Sequence, residues 1–256
     1  RDKTDRIGPY FDRQRLFIAQ AGEDQLYRLF GVNAELLIDH AWGWEPCTIA
    51  DIMAYRPMNN SLSTGQVLKE PYDVKKARVV VQEMGEMLAL DLTGKELVCD
   101  QLILTFGYDV KNLQERQLKT AYRGEITTDA YGRKIPKHSH GSVNLDQHTA
   151  SSRLITEAVL GLFDRIINPD LLVRRITIGA NHVILEKDMR PAQVDLFAET
   201  DLLKNEQERL EKEKNIQKAM LEMKNKYGKN AVLKGIHFEK GATGRERNGQ
   251  IGGHKA

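Results

Sequence analysis

The stretch that decides the fold is residues 61–108, SLSTGQVLKEPYDVKKARVVVQEMGEMLALDLTGKELVCDQLILTFGY. Small polar and larger side chains alternate over Ser61–Leu68, which is typical of a half-exposed strand. Asp73 is placed to cap a helix whose apolar residues recur every three to four positions until Gly94. Alternation then returns over Leu97–Tyr108. The stretch therefore predicts a strand, a long helix and a second strand.

The sequence after residue 108 shows the same two patterns, strand alternation and the helical period. Residues 109–139 carry no sustained apolar period and predict a long excursion, and loops of that length are usually functional or mobile. Alternation over 141–146 predicts a third strand, an apolar stripe over 151–166 a second helix, and 173–184 a fourth strand. The predicted fold class is α+β: a split β-α-β-β-α-β domain whose four-stranded sheet has two helices on one face. The other face must then meet solvent or a ligand.

Four segments follow from shifts in composition. The first holds short helices joined by a glycine turn, the second is a polar, proline-bearing linker, and the third is the predicted sheet domain. The fourth combines a polar connector, a charged helix predicted to have a solvated acidic face, and a glycine-rich basic tail expected to be ordered only by a partner. Their bounds are 1–55, 56–60, 61–185 and 186–256.

Charge and cysteine content exclude several classes. The formal net charge is only +2, but basic residues gather between Lys111 and His140, where they can create a local positive field for phosphates. Basic loops that are merely solvated would look the same. Two cysteines, Cys47 and Cys99, cannot form a disulfide framework and fit a reducing cytoplasm, which is where we expect the protein. No run of about 18 apolar residues predicts a membrane span.

The sheet face opposite the helices is the first candidate site. If Leu62 points to the core, alternation sends Ser61 and Ser63 the other way, and the same reasoning applies to the later strands. The candidates there are Ser142, Asn144, Arg175 and Thr177. Small hydroxyls, an amide and an arginine let a phosphate backbone approach and give sequence-tolerant contact. An ordinary wet face of an antiparallel sheet is the alternative.

Two other segments are candidate binding sites. Gly31, Val32 and Asn33 join two predicted helices, and a glycine before a helix can bare N–H groups to a phosphate. A glycine turn without a ligand is the common alternative. Later, Gln193, Val194, Asp195, Leu196 and Phe197 place a Leu-Phe pair between polar segments, which suits insertion into a partner's apolar pocket. Alternatively, the pair tucks back onto its own domain.

Signals for catalysis are sparse. The sequence has no Asp-x-Asp pair that would indicate a two-metal site and no Walker loop. His138 and His140 form an H-x-H motif without an evident third ligand. We therefore predict no catalytic residue, no metal ligand and no cofactor in this chain.

In combination, these features resemble Y-family DNA polymerases of the UmuC/ImpB/MucB/SamB branch. Residues 26–46 are similar to the second half of the thumb, and 61–185 to the little finger, whose first strand begins Ser61-Leu62-Ser63-Thr64 in this chain. The sequence Val173-Arg174-Arg175-Ile176 also matches the little finger. Residues 193–197 resemble the clamp-binding pentapeptide of the branch, and 241–256 its C-terminal tail.

The resemblance implies a sequence-tolerant grip on primer–template duplex during error-prone synthesis across damage, as in the SOS response. It implies DNA contacts at the thumb turn and on the little finger, here Gly31 to Asn33, Ser61, Ser63, Thr64, Ser142, Asn144, Arg174, Arg175 and Thr177. It further implies a sliding clamp as partner, and a recombinase filament or small accessory protein for the tail. The palm that would hold Mg²⁺ is missing from these residues, so the chain should be inactive alone. A free-standing, non-enzymatic regulator of clamp or recombinase is the alternative.

Overall fold

The chain forms two compact units, Arg1–Met58 and Asn59–Ala256. The structure is a computed structural model that describes residues 18–45, 47–55, 60–114, 122–129, 131–189, 200–251 and 254–255. Each unit is described by itself.

The described residues of the first unit include the helices α1 (Glu23–Phe30), α2 (Asn33–Ala41) and α3 (Ile49–Ala54), and residues 18–20 are helical as well. Gly31 has a φ of 57°, a conformation that glycine adopts without steric cost, and its N–H ends α1 by donating to the Tyr27 carbonyl. At α3, Thr48 and Asp51 form a capping box, since each side chain accepts from the other's backbone N–H.

Burial in this unit is shallow. Its buried apolar residues in the described part of the chain are Leu26 of α1 and Ala34 and Ala41 of α2. Large apolar side chains such as Leu29 and Ile49 remain exposed. The described helices of the unit therefore enclose only a small core.

The second unit holds one main sheet, its covering helices and a structured C-terminal segment. In chain order its elements are β1 (Leu62–Tyr72), α4 (Val74–Gly94), β2 (Leu97–Tyr108), α5 (Lys111–Gln114), β3 (Ile126–Thr128), β4 (Lys134–Pro136), β5 (Ser139–Thr149), α6 (Ser152–Ile166), β6 (Val173–Asn181), β7 (Ile184–Leu185), α7 (Thr200–Tyr227), α8 (Gly244–Arg247), β8 (Gln250–Ile251) and β9 (His254–Lys255). Short 3-10 turns occupy Glu186–Asp188 and Gly235–Phe238.

The main sheet runs β1-β6-β2-β5 with every neighbouring pair antiparallel, and β7 adds a short pairing to the start of β2. Because β1 and β2 both run against β6, they are parallel to each other, and α4 makes the crossover between them. In the same way α6 connects β5 to β6 across β2. Two split β-α-β units interlock in one sheet. The predicted mixed fold, an antiparallel sheet with covering helices, is confirmed.

The core lies between one sheet face and the two crossover helices. Leu102, Leu104 and Phe106 of β2 are fully buried, and the Phe106 ring meets Phe163 of α6 edge-on at 5.2 Å between centroids. A Cβ on Gly85 of α4 would lie 3.2 Å from a Val159 methyl group, so α4 and α6 pack too closely there for a larger residue. The predicted helix cap at Asp73 is confirmed, since its carboxylate accepts from the Lys76 N–H at 2.9 Å.

Helix α7 is tied to this domain by polar contacts. The buried Gln217 amide donates to the Thr93 hydroxyl at 2.7 Å and the Ala150 carbonyl at 3.0 Å. The Glu213 carboxylate accepts from the Ser151 hydroxyl and the Arg153 N–H, which places a negative charge at the N-terminus of α6. The prediction of a solvated acidic face is therefore wrong at Glu213.

The C-terminal segment, residues 229–251, folds back onto the same domain. Glu83 of α4 is only 1% exposed, and its carboxylate accepts from the backbone N–H groups of Thr243 and Gly244 and bonds to His237 at 2.6 Å. The Arg247 guanidinium donates to the side-chain amide oxygen of Gln66 on β1 at 3.1 Å. The expectation that only a partner orders this segment is wrong, because a buried carboxylate of the domain satisfies its amides.

Candidate nucleic-acid interface

The sheet face opposite the helices, called the open face below, is formed by four rows of side chains that cross the strands. Its members follow from the register, because residues that alternate with the buried ones must point away from the helices. The rows are Asn181–Gln101–Asn144, Ser63–Gly179–Ile103–Ser142, Gly65–Thr177–Thr105–His140 and Val67–Arg175–Gly107.

Hydrogen bonds fix the polar groups of two rows. The Asn181 amide donates to Gln101 at 3.0 Å, and Gln101 in turn donates to Asn144 at 2.9 Å, so three amides form a chain across the sheet. In another row the Thr105 hydroxyl bonds to Nδ1 of His140 at 2.8 Å. The face therefore offers hydrogen-bonding groups that are held in position by their neighbours.

Glycines beside Thr177 and Arg175 leave the open face without bulky side chains at these positions. A Cβ on Gly65 would lie 3.3 Å from the Thr177 hydroxyl, and one on Gly107 would lie 3.2 Å from the Arg175 Cβ. Arg175 is exposed, and it is the side chain among the four rows that carries a charge at every ordinary pH. A polymer backbone can therefore approach the sheet closely at these glycines and contact the permanent positive charge of Arg175.

The sequence-predicted residues divide between two faces. Ser63, Ser142, Asn144, Arg175 and Thr177 lie together on the open face, and Ser61 is exposed just before β1. Thr64 and Arg174 do not join them, because they share the alternation of the buried residues of their strands.

Both of those side chains already have partners within the domain. The Thr64 hydroxyl accepts from Arg247 at 3.4 Å, beside the C-terminal segment. Arg174 donates to the Lys69 carbonyl at 2.9 Å and lies 3.8 Å from the Asp109 carboxylate. Alternation therefore places Thr64 and Arg174 on the opposite side of the sheet from Ser63 and Arg175, and their contact with DNA stays a prediction.

Four further polar residues of the open face were not predicted from the sequence: Gln101, Thr105, His140 and Asn181. The alternation that assigns Leu102, Leu104 and Phe106 to the core assigns Gln101 and Thr105 to the other side, so the signal was present. His140 precedes the predicted third strand of 141–146, whereas Asn181 lies within the predicted fourth strand of 173–184 and shares the alternation of Arg175 and Thr177.

The glycine turn of the first unit has a more limited set of free amides than the sequence predicted. The Gly31 N–H is used within α1, where it donates to Tyr27 at 2.9 Å. Val32 and Asn33 begin α2 without a side-chain cap, and Val32 is 84% exposed. Any phosphate at this turn would therefore meet the first amides of α2 and not that of Gly31.

Residues 193–197, the predicted clamp-binding pentapeptide, lie outside the described residues. Where the chain is described, no three His, Cys, Asp or Glu side chains gather as a metal site would require, and no helix is long and apolar enough to cross a membrane.

The residues of the sheet domain match a known protein family. No curated protein matches the chain. Residues 59–196, more than half of the chain, match the model of the impB/mucB/samB family C-terminal domain. That stretch contains β1 to β7 and both crossover helices. The chain therefore belongs to the impB/mucB/samB family, and it carries the C-terminal domain of a Y-family DNA polymerase.

Proposed function

We propose that this chain is the DNA-gripping and clamp-tethering part of an error-prone polymerase that copies damaged DNA. The observation that carries the proposal is the open face, a four-stranded surface of small and polar side chains left uncovered by α4 and α6. In this proposal residues 61–185 of the second unit are the little finger, and helices α1 and α2 belong to the thumb.

The chemistry of the open face favours contact with a phosphate backbone over reading of bases. Hydroxyls of Ser63, Ser142 and Thr177 can donate to phosphate oxygens, and Arg175 supplies a charge-assisted contact. The Gln101–Asn144 amides are engaged with each other, so they have little freedom to read a base edge. The expected grip is therefore indifferent to sequence, as a polymerase that travels along DNA requires.

Salt dependence of duplex binding tests this grip. Each phosphate contact contributes a slope of about −0.9 to the plot of log affinity against log salt. We expect Arg175→Ala to weaken binding of unrelated duplexes equally and to reduce the slope by about one unit.

Arg78→Ala provides a matched control for Arg175→Ala. Arg78 is also exposed and pairs with Asp164, but it lies on the helix side of the sheet. An unchanged slope in Arg175→Ala, or an equal change in both variants, would remove Arg175 from the interface.

The tether is proposed to be residues 193–197, in which Leu196 and Phe197 would fill an apolar pocket of a sliding clamp. Retention of a purified clamp by the immobilised chain tests it directly. We expect the double variant Leu196→Ala/Phe197→Ala to lose retention while duplex binding stays intact. Equal retention by both chains would defeat the tether and leave the grip untouched.

No residue of this chain is proposed to hold magnesium or to catalyse nucleotidyl transfer. The contribution proposed for this chain is to hold the duplex and to keep it near a clamp.

A further inference from the structure

The excursion between β2 and β5 contains a small hairpin with a fixed tip. Its strands pair Ile126 with Pro136 and Thr128 with Lys134. At the turn, the Asp129 carboxylate accepts from the N–H of Tyr131, the N–H of Arg133 and the Arg133 Nε, all within 2.9 Å. One carboxylate thus holds the backbone on both sides of Gly132, whose φ of 76° favours glycine.

The fixed turn presents Tyr131 to solvent. Its side chain is 83% exposed, and the Arg133 guanidinium lies over the ring at 5.0 Å from the centroid. The turn fixes the backbone of Tyr131, and its ring makes no contribution to the core. One ring face is covered by Arg133, which leaves the other for a planar ligand.

The charge around the hairpin is positive. Between residues 122 and 138 the sequence has four basic and two acidic side chains. Each acidic group has a basic partner, since Lys137 binds Glu125 at 2.7 Å and Arg133 binds Asp129 at 2.7 Å. Arg123 and Lys134 are exposed beyond these pairs, and both can meet a phosphate.

The base of the hairpin is anchored beside the open face. Pro136 is buried, and Tyr122 packs against the core. The chain enters β5 at Ser139, whose hydroxyl bonds to Tyr108 at 2.7 Å. This is the end of the sheet that carries Arg175, because Gly107 of β2 pairs with Arg175. The hairpin and the one permanent cation of the open face therefore share an end of the domain.

We propose that this hairpin is a second nucleic-acid contact, specific for a single strand, in which Tyr131 stacks on an unpaired base while Arg123 and Lys134 hold neighbouring phosphates. A duplex offers no free base face to the ring, whereas every unpaired base does. The proposal rests on the proposed DNA-binding function and extends it from the duplex backbone to the unpaired strand.

Binding of the full chain to fluorescent oligo(dT) of about 16 nucleotides, the upper end of single-strand site sizes, tests this contact. Tyr131→Ala should weaken single-strand binding by between about 5- and 150-fold, the range that loss of one stacked base produces. Tyr131→Phe keeps the ring and should retain affinity. Duplex affinity should be the same in all three chains.

Tyr227 provides a matched control. It is 67% exposed and has the Lys226 ammonium over its ring at 5.2 Å, but it lies at the end of α7. Tyr227→Ala should bind oligo(dT) as the parent chain does. Quenching of 2-aminopurine placed in the strand should be present with the parent and absent with Tyr131→Ala, since quenching reports stacking itself.

The outcomes separate this contact from the grip of the open face. Equal single-strand affinity in Tyr131→Ala and the parent, or an equal loss in Tyr227→Ala, overturns the hairpin contact. If Arg175→Ala leaves the salt dependence of duplex binding unchanged, only the grip of the open face is overturned. A parent chain that binds neither probe overturns both, and would leave the hairpin as a surface for a protein.

Discussion

Replacing Glu83 with glutamine should detach the C-terminal segment from α4. The parent carboxylate has two acceptor oxygens, and they serve the Thr243 N–H at 2.7 Å, the Gly244 N–H at 3.1 Å and the His237 ring at 2.6 Å. Glutamine keeps the shape but turns one oxygen into an NH₂ group that faces other donors. Hydrogen bonds to a charged group contribute roughly 1.5–3 kcal/mol each, so losing one and weakening another costs about 3 kcal/mol.

The free energy that docks the segment sets an upper limit on this cost. Once the segment has detached, water solvates residue 83 and the freed amides, so the loss cannot exceed the free energy that docks the segment. The sheet, α4 and α6 make their own core and should remain folded. We therefore expect local opening, with the thermal midpoint of the sheet domain little changed.

Amide hydrogen exchange resolves this opening. Protection of the Thr243 and Gly244 amides should fall by about two orders of magnitude, as a 3 kcal/mol change in opening free energy requires. Trypsin should then cut at Lys234 and Lys240 at early times. Core amides of β2 serve as an internal reference.

A second variant probes the same anchor by steric means. A Cβ on Gly244 would lie 2.9 Å from a Glu83 oxygen, so Gly244→Ala should open the segment too. Gly161→Ala, where a Cβ meets nothing within 4 Å, is its control. Unchanged exchange in Glu83→Gln would refute the anchor, and cooperative loss of the whole domain would refute its local character.

Three further predictions concern other contacts of the domain. Alkylation at pH 8 should modify the exposed Cys47 and spare Cys99, because burial raises the pKa of the Cys99 thiol to about 12; equal labelling by mass spectrometry would contradict this. Gln217→Leu should lower the free energy of unfolding by about 2 kcal/mol in urea titrations, since it leaves buried hydroxyl and carbonyl groups unpaired. At the hairpin tip, hydrogen bonds from Arg133 lower the pKa of Asp129. Its stabilisation is thus complete above the unfolded pKa of about 3.9 and lost as pH falls through the lower folded value; Asp129→Asn should abolish this acid transition of the Tyr131 amide signal.

Local pattern was sufficient for most of the sheet domain. Alternation and the helical period report burial directly, so they located β1, α4, β2, α6 and β6. They were least accurate at the ends: β1 continues to Tyr72, four residues beyond the predicted strand, past a register shift after Val67. Strand β5 begins at Ser139, where the basic excursion obscures the alternation.

Contacts between distant residues could not be predicted in this way. The Gln217–Thr93 bond joins residues 124 positions apart, and the Glu83–Thr243 bond joins residues 160 apart. A polar residue that caps a distant helix or occupies a buried site looks like a surface residue when only its neighbours in sequence are considered. The β3–β4 hairpin was missed for another reason, because strands of three residues are too short to show a period.

The order of strands also governs how the domain can assemble during its synthesis. Strand β1 has no partner until β6 has been made, because β6 is its only neighbour among the described strands of the main sheet. About 100 residues separate the end of β1 from the start of β6, which corresponds to roughly 5–20 s of translation. During that interval β2 and β5 can pair as a hairpin, whereas both edges of β1 remain unpaired. A chain that stalls before residue 173 would expose that strand to other nascent chains, so arrival of the last strand closes the sheet and ends the period of greatest aggregation risk.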